Sequence, residues 1–162
     1  MSAADVITVS VVVAADPRTA FELFTEETDL WWKRGPAFRF RPDEDGVIRF
    51  EPGEGGRLVA DFADGDSFEV GEILSWRPYH GLSLRWRGPN FEADQETRVD
   101  VTFEAVSIGT RVTIEHSGWS SLPEDHPVRH GLGAREFYGQ WGDLWMRQMR
   151  ALRAIASQRA RP

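Results

Sequence analysis

Glu72, His116 and Gln148 are the residues whose types and positions could do chemistry together. His116 has the parity of Val112 and Ile114 in an alternating run from Thr110 to Ser117, so its imidazole points toward whatever that run packs against. An imidazole there can accept a proton or orient a polar ligand group near neutral pH. The plainer and commoner alternative is a histidine hydrogen-bonded at the end of a strand. Glu72 shares parity with Phe68, Val70, Leu74 and Trp76, which would place its carboxylate inside. Its neighbours Gly71 and Ile73 suit the opposite phase, and one bulge would turn Glu72 outward, so both orientations stay open. Gln148 sits in the middle of an apolar helical arc, where a buried amide needs a protein partner, a water or a ligand. If Glu72 and His116 both face inward they form an acid/base pair with Gln148 beside it, suited to enolisation, dehydration or cyclisation. No catalytic set is assigned on this basis; the pair stands as the candidate for a cyclase- or dehydratase-type enzyme.

The other combinations carry less. His126 and His130 with Glu124 or Asp125 could approach a metal, but Pro127 between the histidines suits a helix start with the two acids as caps. Three ligands at compatible spacing are needed, so no metal and no cofactor are expected. Gly53-Glu54-Gly55-Gly56-Arg57 lacks the lysine of a phosphate loop and the third glycine of a dinucleotide fingerprint, and reads as a turn. Ser120 and Ser121 have no nucleophile-elbow setting. Asp43 to Asp45 lacks the alternating ligands and distal glutamate of a calcium loop.

Seven tryptophans are the compositional oddity. Trp31, Trp32, Trp76, Trp86, Trp119, Trp141 and Trp145 come from widely separated stretches. Ordinary core explains most of them; the sharper reading is a flat-walled pocket with its mouth near Trp31, Trp32 and Trp119. Those seven, with His116 and Gln148, are the expected ligand-binding residues.

The elements that must position them follow from periodicity. Phe137, Tyr138, Trp141, Leu144, Trp145, Met149, Leu152 and Ile155 share one helical arc, and Glu136, Gln140, Asp143, Arg147, Arg150 and Ala154 take the other side. A helix from about Ala134 to Gln158, about 25 residues and roughly 37 Å long, must bury that arc against something large. Upstream, Val6 to Val13 reads as a strand, Asp16-Pro17 as an N-cap and first helical residue, and Thr28 or Asp29 as the start of a second short helix. Short strands follow over Ala37–Phe40, Val47–Glu51, Arg57–Phe62, Phe68–Trp76, Leu82–Arg87, Thr97–Ala105 and Thr110–Ser117. Turn-formers separate them, Gly88-Pro89-Asn90 among them, so the sheet should be antiparallel. Leu82, Leu84 and Trp86, then Val99, Val101 and Phe103, alternate with polar residues, which gives one apolar and one wet face. The long aromatic helix is the obvious cover.

Several local strings also resemble a known family. Gly71-Glu72-Ile73-Leu74, then Pro78, then Leu82 to Trp86, is similar to the paired central strands of the family related to the heat-shock-chaperone (Hsp90) ATPase activator, the Aha-type family. Gly109 to Trp119 resembles its last strand and following turn, and Gln140-Trp141 with Leu144 the start of its closing helix. The likeness spans roughly Val6 to Ile155. It implies the helix-grip fold of the START-like (SRPBCC) superfamily: an α+β domain whose curved antiparallel sheet wraps a long C-terminal helix, with two short helices after the first strand. It also implies a cavity between sheet and helix for apolar small molecules, and, as an alternative, a chaperone partner in the stress response.

Composition bounds the rest. The expectation for 162 residues is one START-like domain over 1–162, with its core about 6–157 and a frayed tail at 158–162. No cysteine is present, so disulfides, thiolate metal sites and cysteine nucleophiles are excluded. With no signal-peptide pattern at Met1 to Val6, a cytoplasmic protein is expected. A net charge of −7 argues against nucleic acid, and no stretch reaches the length of a membrane span. The first expectation is therefore non-catalytic binding of an apolar or aromatic small molecule by a monomer or homodimer, with no membrane partner.

Overall fold

β-branched alternation in Val6–Val13 produces the first strand, β1, in a computed structural model that describes residues 5–35, 38–88, 91–123, 125–129 and 132–161. Asp16 then caps helix α1 (Pro17–Glu26), its carboxylate accepting from the Thr19 amide at 2.8 Å with Pro17 at the first position. A single turn, α2 (Thr28–Trp31), follows. Six further strands come next: β2 (Val47–Phe50), β3 (Arg57–Asp61), β4 (Ser67–Arg77), β5 (Gly81–Trp86), β6 (Thr97–Val106) and β7 (Gly109–Ser117). Short 3-10 turns at Trp119–Ser121 and Pro127–Arg129 lead to the long helix α3 (Ala134–Arg159).

The seven strands form one antiparallel sheet in the order β1-β7-β6-β5-β4-β3-β2, so only β1 breaks sequential pairing by returning beside β7. Val6 pairs with Ser117 and Val13 with Thr110. The sheet curls into a half-barrel around α3, which is the helix-grip architecture. Phe137, Trp141, Trp145, Gln148, Met149, Leu152 and Ala156 line the buried side of α3; Tyr138, Leu144 and Ile155 pack at its margins. All six residues assigned to its outer side are exposed. The helix runs one residue past the expected boundary, and that residue, Arg159, grips the Glu27 carboxylate at the end of α1, its Nη2 lying 2.7 Å from Oε1.

β4 departs from simple alternation. Its register shifts opposite Leu58/Val59 and again between Ile73 and Ser75, which leaves Val70 and Leu74 as the extra residues of two bulges. Phe68, Gly71, Ile73 and Trp76 therefore share the inner face, and Glu72 turns outward. The expected strand over Ala37–Phe40 does not form: Phe38 and Phe40 lie in irregular chain, although both are buried, and Ala37 lies outside the described residues. Aromatic alternation here reflects two rings reaching into the core from a turn, closed by the Phe38 amide donating to the Gly35 carbonyl at 3.0 Å. Pro89 and Asn90 of the expected turn also lie outside the described residues.

Candidate functional site

His116 points inward from β7, as its parity requires, and is fully buried beneath α3. The Trp145 indole N–H donates to its Nδ1 at 3.0 Å. An indole only donates, so Nδ1 is the acceptor and Nε2 carries the proton toward Thr97 Oγ1, 2.7 Å away. Thr97 in turn reaches the Trp86 carbonyl at 3.4 Å. Both imidazole nitrogens are committed within the protein. Burial pushes the His116 pKa well below its ordinary value, with no carboxylate acting against that shift.

Glu72 is not part of this arrangement. On the outer face of β4 it holds Arg85 at 2.6 Å, and Arg85 also pairs with Glu96. The sheet itself separates Glu72 from His116, so the acid/base pair considered from the sequence is not assembled. The second bulge on β4 shifts the phase back, so Trp76 faces inward although Glu72, four residues earlier, does not.

Most of the expected binding residues do meet. Trp86, Trp119, Trp141 and Trp145 pack on the His116 ring with centroids 4.2–6.0 Å away. Trp32 stacks on Trp86 at 6.0 Å with 22° between planes. Trp31 adjoins Trp32 at 5.7 Å, stacks on Phe24 at 4.6 Å and donates its indole N–H to the Phe24 carbonyl. Trp76 stands apart, in a second aromatic group with Phe21 and Phe50. The expected pocket mouth at Trp31, Trp32 and Trp119 is closed, since the three are 0%, 2% and 0% exposed.

Gln148 occupies the centre of the inner arc at 1% exposure. Its Oε1 accepts from the Lys33 amide at 2.6 Å and its Nε2 donates to the Lys33 carbonyl at 2.9 Å, as a neighbouring strand would. Among the described residues, the second N–H of Nε2 has no partner. Sequence reasoning missed Lys33, Thr97 and Phe38. Thr97 carried a signal: it faces the same side as Val99 and Val101, one polar residue on an apolar face.

His126 accepts from the Val128 amide at Nδ1 (3.1 Å) and meets Gln95 Oε1 at Nε2 (2.7 Å). Glu124 and His130 lie outside the described residues, and among the described ones no cluster of three ligating side chains is placed to hold a metal. None of the described helices is long and apolar enough to cross a membrane. Open grooves lie on the outer surface, one of about 550 Å³ between α1 and the end of α3 and one of about 740 Å³ beside Arg85 and Gly118.

A family model described as activator of Hsp90 ATPase homolog 1-like protein matches residues 14–152. No curated protein matches the chain. Among solved structures, protein MLL2253 of Mesorhizobium loti is 19% identical, with a TM-score of 0.67 over 97% of this chain and 99% of the other. Protein NE0264 of Nitrosomonas europaea is 16% identical, with a TM-score of 0.65 over 98% of each chain. The Aha1 dimer of Colwellia psychrerythraea, known from a solution structure, is 16% identical, with a TM-score of 0.62 over 91% of this chain and 92% of the other. At these identities the likeness establishes the fold.

Proposed function

The chain belongs to the activator of Hsp90 ATPase homolog 1-like family, and from that premise we propose that it binds an apolar, aromatic small molecule between the concave face of the sheet and α3. The observation that carries this reading is chemical. Indoles from α3, β5, the turn after β7 and the end of α2 converge on one inner surface. Beside them lies one buried amide, Gln148, with an N–H to spare. Flat apolar walls with few polar groups are what a small-molecule site requires. The separation of Glu72 from His116, and the commitment of both His116 nitrogens, favour binding over proton transfer. A cytoplasmic location accords with the cysteine-free sequence.

Native mass spectrometry of protein purified without denaturation should find a small molecule retained, and tryptophan emission should respond saturably to aromatic probes. No retained mass and no saturable response to any of a panel of such probes would sink the reading. The family's description favours a second reading, a chaperone-associated partner. That reading predicts stimulation of a heat-shock-chaperone ATPase by the chain without any small molecule.

A further inference from the structure

Among the described residues, Phe38 is the one ring of the inner cluster that touches four indoles while belonging to neither sheet nor helix. It is 1% exposed. Its centroid lies 5.2 Å from Trp32, 5.9 Å from Trp86, 5.8 Å from Trp141 and 5.2 Å from Trp145, at steep angles to each. Trp86 is fixed in the middle of the sheet, and Trp141 and Trp145 in α3. Three of the four walls are regular structure, whereas Trp32, just past α2, and the occupant are irregular chain.

The polar contacts that seat the occupant come from α3, from Trp32 and from Arg34. Gln148 clamps the Lys33 main chain at both its amide and its carbonyl. The Trp32 indole donates to the Phe38 carbonyl at 2.9 Å. Arg34 holds the Trp32 and Gly46 carbonyls at 2.9 and 2.7 Å and pairs with the Asp29 carboxylate, while its Nε is buried without a partner. We propose that Phe38 is a displaceable internal occupant of the aromatic seat. The ligand that replaces it carries one six-membered aromatic ring with a hydrogen-bond acceptor beside it. The inference rests on the binding reading above and deepens it. The ring count follows from the spacing: centroid separations of 5.2–5.9 Å toward four indoles are ring-contact distances and leave no room for a fused second ring. The acceptor follows from the donor bonded to Phe38 itself, the Trp32 indole N–H, which its displacement would otherwise leave buried and unpaired.

The probe is p-cresol, a single ring with a phenolic oxygen, titrated by calorimetry into the wild-type chain, Phe38→Ala and Phe38→Leu. Wild type should bind measurably and Phe38→Ala roughly tenfold tighter or more, because it no longer spends binding energy on moving the ring; Phe38→Leu, whose smaller side chain must still move, should fall between them. Phe38→Leu keeps most of the apolar volume and guards against a variant that does not fold. In wild type, saturating p-cresol should also accelerate hydrogen exchange at the Lys33 amide, since displacement releases the Gln148 clamp, while α3 amides stay protected. Equal affinity in all three chains would place the probe elsewhere, overturning this inference while leaving the binding reading intact. Binding by the variants alone would make Phe38 a fixed core residue whose removal merely opens a cavity, and would also overturn it. So would unchanged or slowed exchange at Lys33 in the saturated wild type. No response of any chain to p-cresol overturns the inference as well; the binding reading falls with it only if the wider probe panel also fails.

Discussion

Acidification should destabilise this protein through His116 before its carboxylates begin to titrate. The imidazole is fully buried and accepts the Trp145 N–H at Nδ1. A proton added there would set two donors against each other 3.0 Å apart. Among the described residues, its polar and ring neighbours Thr97, Trp86, Trp119, Trp141 and Trp145 bring no negative charge from β5, β6, the post-β7 turn or α3. The folded-state pKa is therefore depressed well below the ordinary 6.5, and the cause is burial. The unfolded chain then binds the proton first. Stability is full above the unfolded value and falls as pH drops below it, until the folded value is reached. One such group gives a loss of about 1.4 kcal/mol between about pH 7.5 and pH 5.5. At a urea slope of about 2 kcal/mol per molar, the midpoint should move down by about 0.7 M. Urea melts followed by far-UV circular dichroism, in wild type and His116→Gln, measure it. The variant subtracts the contribution of the other histidines and should lose about 1.4 kcal/mol less than wild type over that interval. A midpoint that stays flat in wild type, or a variant with the same pH loss, would refute the buried neutral imidazole.

Three further outcomes are expected. Gln148→Leu should destabilise the ligand-free protein by about 1–3 kcal/mol in chemical denaturation, because it orphans the Lys33 amide and carbonyl; a neutral or stabilising result would show that water replaces the amide readily. Trp141→Ala should lose about 3–5 kcal/mol, since the ring is 4% exposed among His116, Trp119, Phe38 and Phe137, and a loss under about 1 kcal/mol would mean that it borders open space. Glu72→Gln should change stability by less than about 0.5 kcal/mol, because the pair is half exposed and Arg85 keeps Glu96; a larger loss would mean that the outer charge pairs act as a network.

Much of the architecture was legible because burial imposes a period. Val6–Val13, the three late strands and the inner arc of α3 show their faces in the order of residue types alone. Glu72 was undecidable because a bulge shifts parity without leaving a compositional mark, and β4 contains two. The failed strand at Ala37–Phe40 has a related cause: alternating aromatics report which side chains are buried, and a turn can bury Phe38 and Phe40 as well as a strand can. The least legible part was pairing across long separations. Gln148 lies 115 positions from Lys33, and nothing in either residue names the other. The sequence argument that a buried amide needs a partner was sound, but it could not distinguish a ligand from a main chain acting as one. Thr97 shows the same limit: its polarity on an apolar face was visible, whereas its role in fixing the His116 tautomer needed the distance.

The pairing of β1 with β7 also sets a timetable for synthesis. Val6 leaves the ribosome 111 positions ahead of Ser117, its partner. At ordinary elongation rates that interval is roughly 6–20 s. Throughout it, an eight-residue segment rich in valine, Val6–Val13, has no strand to accept its amides and carbonyls. The growing chain can zip β2 through β7 hairpin by hairpin as each emerges, but it closes the sheet only by drawing its first strand back to its last. α3, later still, then covers the inner face. Any pause or truncation before Ser117 leaves β1 as the longest-lived sticky segment of the nascent protein, and the place where its misassembly would begin.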